Sequence, residues 1–92
     1  MKANTIMRRV KLSKLELEYI RKLPLPASLR YTLEIAQLQH DGSWLMLIPE
    51  ETAEEFRSEF TEHLARVGFD LEYQPTHEGV LLESLIDRFF ES

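Results

Sequence analysis

The sequence predicts an α+β fold, mostly helical, in the order β-α-α-β-α-α, with two short paired strands under four helices. Three observations carry this. A short alternating run, Val10-Lys11-Leu12, precedes a helix start signal. A compact apolar run, Trp44–Ile48, lies between Gly42-Ser43 and Pro49. Apolar residues then recur at spacings of three and four through both later segments. At 92 residues, with 43% hydrophobic and 29% charged residues, the chain reads as one folded domain over 1–92.

Residues 1–6 show no periodicity and are expected to be disordered. In Met7–Leu12 the alternation begins at Val10, and Val10–Leu12 is the first predicted strand. Ser13-Lys14-Leu15-Glu16 is a capping box, in which the Ser hydroxyl and the Glu carboxylate each satisfy an amide of the first turn. The helix it opens is expected to bury Leu15, Tyr19, Ile20 and Leu23, and Pro24 stops it.

Two readings compete for the next stretch. Pro26–Leu38 reads as a second helix with Leu29, Leu33 and Ala36 as its stripe and Pro26 in its first position. The alternative is an antiparallel hairpin over 31–48, turning at Asp41-Gly42, with two or three helices beside it. The alternation slips at Ala36-Gln37-Leu38, where a strand would expose Leu38, and the helix is preferred.

Trp44–Ile48 reads as a buried strand. Pro49 opens the third helix, and Glu50, Glu51, Glu54 and Glu55 favour its positive end. Ala53, Phe56, Phe60, Leu64 and Val67 form its apolar stripe, and Glu62 and Arg66 are spaced as an ion pair. Gly68 is expected to close it in the left-handed conformation. Asp70–Pro75 is a connector, and Thr76 caps a last helix over His77–Phe90. The apolar face of that helix is wide, from Val80 to Phe90, and predicts either a central place in the core or a homodimer through this helix.

Charge is segregated. Residues 1–30 hold eight basic and two acidic residues, net +6, and residues 31–92 hold three and fourteen, net −11. This predicts an anionic partner for the basic end, or two halves that complement each other. Arg8, Arg9, Lys11, Lys14, Arg21 and Lys22 are the candidate anion or nucleic-acid contacts.

The other chemistry is sparse. With no cysteine, a disulfide framework and a thiol nucleophile are excluded. His40, His63 and His77 share no metal-ligand spacing, although Glu59 and His63 lie one turn apart. No phosphate-cradling glycine loop or nucleophile elbow is present. The expectation is a non-enzyme with no cofactor and no metal. No apolar run reaches membrane-span length, so the reading is a cytoplasmic chain without a membrane partner.

The segment Gly68-Phe69-Asp70-Leu71-Glu72-Tyr73-Gln74-Pro75-Thr76-His77-Glu78-Gly79-Val80-Leu81-Leu82-Glu83-Ser84-Leu85-Ile86-Asp87-Arg88-Phe89 resembles the C-terminal signature of a group of small uncharacterised bacterial proteins. The pattern is roughly G-F-D-x-x-Y-x-x-T-x-E-G, then L-I-D-x-F. The resemblance implies a bacterial-type intracellular protein and transfers no activity. Within it, Asp70, Tyr73 and Glu78, together with Phe89 and Phe90, are a candidate interaction surface. The functional expectation is a small non-enzymatic regulatory protein that binds an unknown protein partner. The alternative is a nucleic-acid-binding accessory protein that uses the basic first third.

Overall fold

The structure is a computed structural model that describes residues 6–72 and 74–90. Its elements are β1 (Met7–Leu12), α1 (Lys14–Arg21), α2 (Ala27–Glu34), β2 (Gln37–Leu38), β3 (Trp44–Pro49), α3 (Glu50–Val67) and α4 (His77–Phe90). The fold is α+β with four helices, as the sequence predicts, and the sheet gains a short third strand. Strand order is β1-β3-β2, and both pairings are antiparallel. Ile6, placed in the disordered end by sequence, belongs to this ladder: its carbonyl accepts from the Glu50 N–H at 2.8 Å.

Both readings of the middle segment are partly right. The helix forms, but it ends at Glu34, and the chain then turns extended for Gln37–Leu38. A hairpin closes at Asp41-Gly42. Gly42 takes φ 87°, and Asp41 accepts from the Ser43 N–H at 3.0 Å and from its hydroxyl at 2.6 Å. Leu38 is exposed, the cost that alternation implied for a strand there.

All four helices pack on one face of the sheet. Val10, Leu12, Met46 and Ile48 point into them and are buried with Ile20, Leu29, Leu33, Phe56, Phe60, Leu82, Leu85 and Phe89. Phe56, Phe60 and Phe89 form an aromatic centre, with ring centroids 4.9–5.9 Å apart. The capping box forms as expected: Glu16 N–H donates to Ser13 Oγ at 3.1 Å, and Ser13 N–H donates to Glu16 Oε1 at 2.8 Å.

Leu15 is a correction. It is 77% exposed, and Leu17 takes the core position instead. Two residues turn a helix by about 200°, so Leu15 and Leu17 cannot share a face, and the stripe runs Leu17, Ile20, Leu23. Pro26 and Pro49 stand one position before their helices, at the N-caps.

Gly68 is a second correction. Its φ is −76°, within the right-handed region. The end of α3 needs no left-handed turn because Thr76 serves it. The Thr76 hydroxyl donates to the Val67 carbonyl at 2.9 Å, and the Thr76 N–H donates to the Gly68 carbonyl at 2.8 Å. The same hydroxyl accepts from Gly79 N–H at 2.9 Å and so caps α4. Gly79 packs directly on Gly68, and a Cβ there would stand 2.2 Å from the Gly68 carbonyl oxygen.

Candidate interaction face

A strand whose neighbours on one face are helices and on the other solvent should alternate apolar and polar. β1 does: Val10 and Leu12 face the helices, while Met7, Arg9 and Lys11 face outward. β3 does not. Its inner residues Met46 and Ile48 are buried, yet its outer residues are Leu45 and Leu47, and Leu47 is 56% exposed. The sheet therefore carries a leucine pair in the middle of its uncovered face. Register places Arg9 beside Leu47, Lys11 beside Leu45, and Met7 beside Pro49.

On the other side of β3 the face runs into a notch. β2 ends at Gln37, opposite Leu45, so Leu47 has no strand beside it there. Thr32, Ile35, Gln37, Leu45, Met46 and Leu47 line this notch, and Ile35 is exposed. Met7, Ile35, Leu45 and Leu47 thus give the uncovered face an apolar middle, and Arg9 and Lys11 give it a basic rim.

The six basic candidates are divided by the fold. Arg8 pairs with Glu50, and Lys11 lies 2.8 Å from Asp41. Arg9, Lys14, Arg21 and Lys22 are exposed, and among the described residues none of them meets an acid. Arg9 lies on the uncovered sheet face, Lys14 and Arg21 lie on α1, and Lys22 is its C-cap. The sequence brought all six together as one patch; the structure places Arg9 and Lys11 beside Leu47 and Leu45 on the outer face of the sheet.

The C-terminal candidates mostly have structural work. Asp70 Oδ1 accepts from the N–H groups of Glu72 and Gln74 at 2.8 and 2.9 Å, which fixes the turn between α3 and α4. Leu71, at its tip, is 98% exposed. Tyr73 lies outside the described residues. Glu78 accepts from the Tyr19 hydroxyl at 2.8 Å and stands 3.5 Å from His63 Nε2, so it joins α1, α3 and α4. His63 therefore meets Glu78, and no ion pair forms with Glu59. Phe89 does not belong to a surface: it is fully buried in the aromatic centre. Phe90 is 62% exposed, but the Arg57 guanidinium sits 5.1 Å over its ring. Arg57 is held in turn by the Phe89 carbonyl at 2.9 Å and Glu50 at 3.3 Å.

Titration behaviour agrees with structural roles. Burial, then the hydrogen bond and charge of Glu78, push the Tyr19 phenol up. The Lys11 ammonium and Ser43 hold Asp41 well below the usual carboxylate range, and Arg8 and Arg57 lower Glu50. Each shift moves its group away from the neutral range in which a general acid or base works. Among the described residues, no three His, Asp or Glu side chains come together to hold a metal ion. Among the described residues, no helix is long and apolar enough to cross a membrane. No protein family, no curated protein and no solved structure matched the chain.

Proposed function

We propose that this chain is a small non-enzymatic interaction protein that binds an acidic protein partner through the uncovered face of its sheet. The observation that carries this is Leu47, an exposed leucine in the middle strand, with Leu45, Met7 and Ile35 around it and Arg9 at its side. Fully burying a leucine side chain is worth about 1.5–3 kcal/mol, so covering the exposed part of Leu47 yields on the order of 1 kcal/mol. The four side chains supply the apolar centre of a contact, and matched charge at the rim adds specificity. Lys11 is already matched by Asp41, and Arg9, which meets no acid among the described residues, makes that rim basic, hence the acidic partner.

Site-specific photocrosslinking tests the reading. A photoreactive residue at position 35 or 47 should give one discrete adduct with an acidic protein in the native cell. Placed at Thr61, on the outer side of α3, it should give none. Adding Leu47→Glu to the position 35 probe should abolish the adduct and leave the melting temperature unchanged. Equal adducts from 47 and 61, or an adduct with twice the chain's own mass, would overturn an acidic partner on this face.

A further inference from the structure

In an antiparallel pair, alternate residues of a strand exchange hydrogen bonds with the neighbour, and the residues between them turn their N–H and C=O the other way. The Glu50 N–H donates to the Ile6 carbonyl, which sets the parity in β1. Ile6, Arg8, Val10 and Leu12 bond toward β3. Met7, Arg9 and Lys11 present their main-chain groups to the free edge. One of these is plugged: the Lys11 carbonyl accepts from Arg88 Nη1 at 2.8 Å. Among the described residues, nothing pairs with the outward groups of Met7 and Arg9.

We infer that the free edge of β1 is a docking site for an extended acidic segment of the protein partner, which joins the sheet as a further strand. This deepens the reading above and rests on it. The edge supplies main-chain donors and acceptors in register, as strand addition requires. Met7 and Arg9 lie on the uncovered face beside Pro49 and Leu47, so outward side chains of the added strand extend the same apolar and basic surface.

Charge selects the occupant. β1 carries Arg8, Arg9 and Lys11 and no acid. The acids that meet the side chains near it are already matched: Glu50 by Arg8, Asp41 by Lys11, and Glu16 by Arg88 at 3.0 Å. Arg9 is the basic residue of the strand left for a new carboxylate. A second copy of the chain is disfavoured by the same count. The two antiparallel registers of fullest overlap set Arg9 against Arg9 of the copy, or against its Lys11, and like charges directly opposite destabilise a pair.

The test uses the full chain, labelled with nitrogen-15, and a short blocked peptide alternating glutamate and valine. Binding should shift the amides of Met7 to Leu12 and slow hydrogen exchange at Met7 and Arg9 by about tenfold. A peptide with lysine for glutamate should not bind. Arg9→Pro removes the outward N–H and leaves the β3 ladder intact, and it should abolish protection at Met7. If that variant fails to fold, Arg9→Glu decides: it should weaken the glutamate peptide about fivefold and gain binding of the lysine peptide. Absence of protection at Met7 and Arg9 with the glutamate peptide would overturn the edge site, as would equal protection by the lysine peptide. So would displacement of the peptide by a single-stranded oligonucleotide with a steep salt dependence, which would assign the strand to nucleic acid. Crosslinking from positions 35 and 47 that survives a failed peptide test would leave the uncovered face as the contact and remove only the strand addition.

Discussion

A single methyl group decides the junction of α3 and α4. In a helix, alanine is ordinarily about 1 kcal/mol better than glycine. At position 79 the sign should reverse, because the added Cβ would meet the main chain of Gly68, which has no rotamer to yield. Gly79→Ala should therefore cost about 1–3 kcal/mol in a denaturant melt. At the aromatic centre, Phe60→Ala should cost roughly 3–5 kcal/mol, since Phe56 and Phe89 would line the void left behind. The sequence located Phe60 and Thr76 because each obeys a local rule, of period and of capping. It misread Gly68 because the partner of its carbonyl, Thr76, lies across a loop. A glycine at a helix end looks the same whether it is there to turn left or to let another backbone approach.

Elements are held at their ends by charge. The hairpin depends on Asp41, and the entry to α3 on Glu50, whose carboxylate meets both Arg8 and Arg57. Both acids titrate below their ordinary values of 3.8 and 4.5 in the folded chain, so the unfolded chain binds more protons as acid is added. Their contribution is complete above about pH 4.5 and is lost as pH falls through the folded values. Urea midpoints should drop from pH 5 to pH 3, and Asp41→Asn with Glu50→Gln should flatten that slope. Tyr19 behaves in the opposite sense. Its phenol is raised above the ordinary value of 10.0, so its contribution is complete below pH 10 and declines above it. Tyr19→Phe should remove part of the alkaline loss. Helix positions were readable from capping and periodicity. Leu15 failed because a helix of eight residues offers too few apolar positions to define its phase. β2 was blurred because two residues are too short to show alternation.

The whole molecule has two unlike sides, and one strand shows both. Met46→Lys should unfold the chain, since it buries an unpaired charge under the helices. Leu47→Lys, one residue on, should change stability by less than about 0.5 kcal/mol, as circular dichroism melts of the two variants would show. This asymmetry was hidden in the sequence. A run of five apolar residues reads as buried on both faces, and only the partner strand, with Arg9 and Lys11 facing out, reveals that one side meets water. The charge segregation was visible, and part of its meaning is internal: Arg8–Glu50 and Lys11–Asp41 each tie the basic first third to the acidic remainder.

The strand order also sets a schedule. β2 and β3 are neighbours in sequence and close through a short turn, but β1 must wait for β3, which begins roughly 37 residues after it. Synthesis at about 5–20 residues per second makes that wait roughly two to seven seconds on the ribosome. The strand made first is thus the last part of the sheet to find its place, and it spends the interval with Val10 and Leu12 bare.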